Sequence, residues 1–219
     1  MKAAIEIKFV SDIMCPWCVV GLRNLEIALA NLDEKVNSEM TFQPFELNPQ
    51  MPAEGQNFAE HIVEKYGITP EQSSENRKMI QARGAEVDFE FSFSPESRMR
   101  NSFDAHRLLH WANLEGKQAP LKNALFKAHF THNQDVSDHQ ILADIAADVG
   151  LNRQTAKGVL ENGYYSDEVR QLEKFWHENG ISSVPTVIIN NKYAISGGQP
   201  AEQFQQALEE ILEKEKAQA

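Results

Sequence analysis

The sequence predicts an α/β chain of order β-α-β, then a long helical block, then β-β-α. Three observations carry this. Apolar residues alternate with period two near both ends, they recur at helical spacing through the middle, and Gly and Pro punctuate the joins. At 219 residues with 42% hydrophobic content, the chain is long enough for one domain with a substantial insertion.

The elements follow in order. Ile5, Ile7 and Phe9 share one face of a first strand over 2–10. Ser11-Asp12-Ile13-Met14 forms a short loop, and Leu22, Leu25, Ile27, Ala28, Leu29 and Leu32 mark a helix over 19–32, with Pro16 at its first turn. A second strand is expected over 40–47, where Pro44 indicates an irregular or edge position. Strand–helix–strand is a right-handed parallel crossover. Helices are then predicted over 58–66, 70–85, 101–111, 120–130, 138–149, 152–162 and 166–179. Thr69-Pro70-Glu71, Ser137-Asp138 and Ser166-Asp167-Glu168 supply their starts, and Gly67, Gly150, Gly163 and Gly180 their stops. Phe89 to Phe93 alternates like a strand but is read as an extended connector. Strand character returns over 184–189, Asn190-Asn191 makes a two-residue turn, and 192–196 leaves it. Gly197-Gly198 breaks the chain before a last helix over 200–215. Segments 1–50 and 181–219 thus make one unit, and 51–180 an inserted helical one.

Composition removes several classes. A net charge of −11 is unsuited to neutralising phosphates, so no nucleic-acid partner is expected. The acidic tail reads as the solvated end of an amphipathic helix. The longest apolar run, Val184 to Ile189, is far short of the roughly 20 residues that span a bilayer. Glu6 interrupts the only stretch that could serve as a signal peptide, so a cytoplasmic location without membrane association is expected. Nothing in the sequence sets the oligomeric state.

The two cysteines, Cys15 and Cys18, flank Pro16 and Trp17. Structural zinc needs four ligands at characteristic spacings. No second cysteine pair exists, and His106/His110 and His129/His132 read as packing or surface residues, so no metal is expected. A redox pair accounts for the position as well as the residue types. Cys15 stands where a strand hands over to a helix, beside unpaired backbone N–H groups and the positive end of the helix dipole, a setting that favours thiolate. A Cys15 thiolate attacks a disulfide, and Cys18, one turn on, resolves the mixed disulfide. Trp17 is either an apolar lip for substrate or a partly buried core aromatic.

Cys15-Pro16-Trp17-Cys18 at a strand-to-helix junction, with Val184-Pro185-Thr186 before a terminal hairpin and helix, resembles the DsbA-like branch of the thioredoxin superfamily. Ser11 to Cys18, Asp104-Ala105-His106-Arg107-Leu108-Leu109 and Ser196-Gly197-Gly198-Gln199-Pro200 resemble its FrnE-type subgroup, over nearly the whole chain. The resemblance implies a thioredoxin-like fold with a helical domain inserted after the second strand, and a protein-disulfide oxidoreductase. It implies that Pro185 follows a cis bond and faces the sulfurs, and that Val184 binds substrate main chain. Pro16 and Trp17 would line that substrate site. The implied substrates are disulfide-containing proteins or small-molecule disulfides. No cofactor is needed beyond the redox-active pair, with glutathione as a conceivable co-substrate. Two departures stand out. Phe9 occupies the position where many relatives carry a buried acid, so the relay for Cys18 must use another group: Asp12, a neighbouring side chain or water. Asp12 reads equally as a turn residue. Pro-Trp between the cysteines, in place of Pro-His, implies a potential below the ~−120 mV of the most oxidising enzyme.

Two other readings remain open. Kappa-class glutathione transferases and hydroxychromene-carboxylate isomerases share this architecture, typically with serine in place of Cys15. Asn101-Ser102 resembles their motif in the inserted domain. A non-enzymatic binding module would keep its function after alkylation of Cys15.

Overall fold

A computed structural model describes residues 2–218; Met1 and Ala219, the outer ends of the two terminal segments, lie outside the described residues. Strand β1 (Ala3–Ser11) is followed by helix α1 (Pro16–Asn31) and strand β2 (Val36–Pro44). β1 and β2 pair in parallel, Ala3 opposite Val36 through Ser11 opposite Pro44. Far along the chain, β5 (Thr186–Ile189) adds antiparallel to β1, and β6 (Tyr193–Ser196) pairs with β5. The sheet order is β2-β1-β5-β6, with β1 central because its residues face covered layers on both sides. Ile7, Phe9 and Val10 are all fully buried.

Seven helices fill the interval between β2 and β5: α2 (Phe58–Tyr66), α3 (Pro70–Ala85), α4 (Phe103–Leu114), α5 (Gln118–Phe130), α6 (His139–Asp148), α7 (Arg153–Glu161) and α8 (Ser166–Glu178). Their starts follow local chemistry. Thr69 and Gln72 form a capping box, and the side chains of Asn57, Asp138 and Asn152 accept backbone N–H groups of the first turns. α8 departs from the expected pattern. Its N-cap is Tyr165 in the left-handed region, and the Ser166 hydroxyl donates back to the Gly163 carbonyl. A last helix, α9 (Ala201–Gln218), packs on α1 through Phe204 and Leu208.

Two expectations need correction. The second strand runs from Val36 to Pro44 rather than over 40–47, because backbone pairing with β1 extends through the polar, exposed stretch Asn37-Ser38-Glu39. A two-residue pair, β3 (Gln56–Asn57) with β4 (Arg98–Met99), also joins segments the sequence left as loops. Phe89 to Phe93 is an extended connector without a strand partner among the described residues. Phe89 and Phe91 are buried in an aromatic cluster with Phe93 and Phe130.

The helical block is tied to the sheet through its edge. Gln118 at the start of α5 accepts from the Phe42 N–H and donates to the Phe42 carbonyl, both at 2.9 Å, as a neighbouring strand would. Among the described residues, no helix is long and apolar enough to cross a membrane.

Candidate active site

The dithiol sits at the C-terminal end of β1, where the chain turns into α1. Cys15 is the helix N-cap, in extended conformation, and Pro16 opens the first turn. Both cysteines are free thiols and both are buried. The loop before them is held by Asp12, whose carboxylate accepts the N–H of Met14 at 3.1 Å and that of Leu47 at 2.7 Å. Asp12 therefore ties the active-site loop to the segment leaving β2, which is the turn role open to it from sequence.

The second wall of the site is the loop before β5. The Val184–Pro185 bond is cis, as the resemblance implied. The Cys15 thiol lies 3.6 Å from the Val184 carbonyl, toward which it donates. Two glycines make this closeness possible. A Cβ on Gly21 would stand 3.0 Å from both Pro185 Cγ and Gly198 Cα, and one on Gly198 would stand 2.9 Å from the Trp17 carbonyl. The Gly197 N–H donates to the Pro185 carbonyl at 2.8 Å. The Gly197-Gly198 segment that reads as a simple break is thus the contact fastening α1 against the proline loop.

Cys15, Pro16, Trp17 and Val184 all line one cleft of about 930 Å³ between the dithiol loop and helices α2 and α3. Trp17 does both things left open to it: it lines the cleft and packs, half-buried, against the core. Pro185 is buried behind Val184, and Cys18 lies inside, away from the cleft wall. The cleft is mostly apolar, and Lys65, Arg77 and the buried His61 are among its lining residues. Lys65 donates to the Leu47 carbonyl and the Asn48 side chain. Partial burial lowers the Lys65 pKa, while the negative charge of Asp12 and Cys15 opposes that shift.

Behind the dithiol loop lie buried polar side chains, of which the sequence singles out Asp12 alone as a candidate relay. Burial would raise the Asp12 pKa, but the facing His106 and the Leu47 N–H outweigh it and hold the carboxyl below its usual range. His106 Nε2 is 3.5 Å from Asp12 Oδ1, with both side chains almost wholly enclosed. Lys122 of α5 is fully buried. Its Nζ has no hydrogen-bond partner among the described residues, and its nearest ring neighbour is Phe126, 4.8 Å from the centroid. Burial pushes the Lys122 pKa down to about 8, against the attraction of Cys18, Asp12 and Cys15. Cys18 is pushed well up, first by burial and then by the adjacent Cys15. The sequence did carry a signal: Lys122 falls on the apolar face of α5 with Leu125, Phe126 and His129. Phe9, the site of the acid in many relatives, is buried edge-on to Phe42. Among the described residues, no group of three or more His, Cys, Asp or Glu is arranged to hold a metal ion.

A parallel β-α-β joined to an antiparallel hairpin and helix, with Cys-x-x-Cys at the α1 N-terminus facing a cis-proline, defines a thioredoxin-fold dithiol protein. The family described as DSBA-like thioredoxin domain matches residues 6–209, and the chain belongs to it. The chain is similar to the structure of a probable DsbA oxidoreductase, SCO1869, from Streptomyces coelicolor. That similarity has 31% identity and a TM-score of 0.86, over 93% of this chain and 88% of that one. It is also 29% identical over 215 residues to the uncharacterized protein YwbO of Bacillus subtilis, covering 96% of this chain and 98% of that protein. The fold is shared with the cytosolic disulfide reductase DsbM of Pseudomonas aeruginosa, solved with GSH. The TM-score there is 0.65 at 13% identity, over 95% of this chain and 99% of that one.

Proposed function

We propose that the protein is a cytoplasmic thiol–disulfide oxidoreductase acting on protein or small-molecule disulfides through Cys15 and Cys18. The observation that supports this best is the Cys15 thiol, at the helix N-cap and 3.6 Å from the carbonyl before cis-Pro185, on the wall of a cleft of about 930 Å³. Cys15 attacks the substrate disulfide and Cys18 resolves the intermediate. Pro185, lacking an N–H, leaves the Val184 main chain available to substrate, and Pro16 and Trp17 form the apolar lip. In a reducing cytosol the pair works mainly from its dithiol form, favouring reductase or isomerase work over net oxidation. The chemistry belongs to the unit formed by segments 1–50 and 181–219, with 51–180 shaping substrate choice.

The test is the redox equilibrium of the pair in glutathione buffers, read by trapping free thiols and weighing the protein. A Cys15–Cys18 disulfide with a midpoint of about −270 mV supports the reading. Persistent single glutathionylation without an internal disulfide overturns it.

A second reading, glutathione-dependent transfer or isomerisation, is favoured by one observation: the cationic side chains of Lys65 and Arg77 line the cleft and suit a peptide bearing carboxylates. Steady-state glutathione transfer that survives Cys18→Ser selects it.

A further inference from the structure

A second cavity, of about 280 Å³, lies between α4, α5 and β2, and no residue that lines it also lines the dithiol cleft. Its charge is one-sided. The chain carries 32 Asp and Glu against 21 Lys and Arg, yet among the described residues no Asp or Glu lines this cavity, whereas Lys8 and Lys122 do. The two lysines differ in what holds them. Lys8 donates to Asn191 Oδ1 at 2.6 Å and pairs with Glu6 at 3.3 Å, so its charge is met by groups outside the cavity lining. Lys122 is fully buried, and its Nζ has no hydrogen-bond partner among the described residues.

Two observations set the Lys122 ammonium against this cavity. It lies 5.9 Å from the centroid of the Phe42 ring, and Phe42 lines the cavity. Gln118, one turn earlier on the same face of α5, lines it as well. The neighbouring polar groups leave the ammonium unmet. The Gln118 amide oxygen is taken by the Phe42 N–H, His106 Nε2 stands 3.5 Å from Asp12 Oδ1, and His110 packs on Tyr165. Burial lowers the Lys122 pKa only to about 8, so most copies of this side chain are charged at pH 7. Contacts with aromatic rings offset part of the cost of burying that charge, and a paired anion would offset far more. The rest of the wall includes Phe42, Pro44, Leu109 and Leu172. Against these side chains the oxygens of a fully hydrated inorganic anion would lose their partners, whereas a hydrocarbon body would be buried favourably. The volume falls just short of the ~300–1,000 Å³ of sites for drug-sized ligands, which limits the occupant to a few carbons.

We propose that this cavity binds a small organic carboxylate, its carboxylate paired with the Lys122 ammonium and its hydrocarbon body resting on Phe42, Pro44, Leu109 and Leu172. The site is separate from the dithiol and asks nothing of it.

The experiment titrates the full-length protein with sodium benzoate at pH 7 and constant ionic strength, with affinities from calorimetry and the location from lysine-selective ¹³C NMR. Benzoate should move, to saturation, the lysine signal that is missing from the spectrum of Lys122→Met. Lys122→Met should bind benzoate about 10- to 100-fold more weakly, the worth of a hydrogen bond to a charged group, while Lys8→Met binds it unchanged. Two arms need no variant. Benzamide, of the same shape without the charge, should bind the wild type at least about tenfold more weakly, and alkylation of Cys15 should leave benzoate affinity as it was. A Lys122 signal that does not respond overturns the proposal, since water alone then serves the ammonium. Equal affinity for benzamide, or an equal loss in both lysine variants, overturns the pairing with Lys122. Binding that disappears on alkylation puts benzoate in the dithiol cleft and overturns the second site. Inorganic phosphate binding as tightly as benzoate overturns the assignment to an organic carboxylate.

Discussion

Replacing Gly198 by alanine tests whether the close approach of α1 to the proline loop is what holds the site together. The added Cβ would stand 2.9 Å from the Trp17 carbonyl oxygen and 3.4 Å from the Gly21 nitrogen. Both are backbone atoms, so no side-chain rotation relieves the overlap, and α1 must move away from Pro185. Overpacking of this kind costs about 1–3 kcal/mol, and for a chain of this size each kcal/mol lowers the melting temperature by about 2–4 °C. Gly158 is the matched control. It lies inside α7, and the nearest atom a Cβ there would meet is Asn162 Nδ2, at 4.0 Å. Alanine at that position should stabilise by about 0.5–1 kcal/mol through helix propensity. Thermal unfolding of the two variants should therefore shift in opposite directions, and alkylation of Cys15 should change only in Gly198→Ala. If Gly198→Ala melts with or above Gly158→Ala, the backbone approach is not tight and this account of the site is wrong.

Further outcomes follow from the buried polar groups. Gln118→Leu strips both bonds from the Phe42 peptide. With each buried unpaired group costing about 1–3 kcal/mol, urea unfolding should show a loss of about 2–6 kcal/mol. His129 is held by burial down to about 4, so the unfolded chain binds its proton first. The stability this group contributes is complete above about pH 6.5 and lost as pH falls through 4, on the order of 3 kcal/mol. His129→Gln should flatten the stability profile across that window in pH-dependent urea titrations. Lys122 is pushed down to about 8, so below that pH the folded state carries a penalty that vanishes above about pH 10.5. Lys122→Met should accordingly be more stable than the wild type at pH 7, by a margin that closes as calorimetry is repeated toward pH 10.

Much of this architecture can be read in the sequence because the signals are local. Ile5, Ile7 and Phe9 alternate, the helices repeat their apolar residues, and Thr69 and Asp138 announce helix starts. Cys15 and Cys18 declare their chemistry through residue type and spacing. The start of β2 was hidden because Asn37-Ser38-Glu39 is exposed; such a stretch is a strand only by virtue of its partner. Strands β3 and β4 are two residues long, too short to show any alternation. The meeting of Asp12, His106 and Lys122 was out of reach for a different reason, although Asp12 already stood as a candidate relay and Lys122 falls on the apolar face of its helix. Each is a polar type that by composition belongs outside, and only the packing of α4 and α5 under the dithiol brings them together. Gly198 shows the same limit, since its need for a missing side chain comes from Trp17, 181 positions earlier in the chain.

The pairing of Gln118 with Phe42 also bears on how the molecule meets its own kind. A sheet edge with free peptide groups is a template on which other chains add strands. On the β2 side, a glutamine amide already occupies that template at the buried Phe42, near the strand's C-terminal end. The opposite edge, β6, is only four residues long, with the Lys192–Glu215 ion pair beside its first residue. Short strands flanked by charge are poor seeds for edge-to-edge growth. The sheet that carries the dithiol is therefore guarded at both ends against polymerising through its backbone.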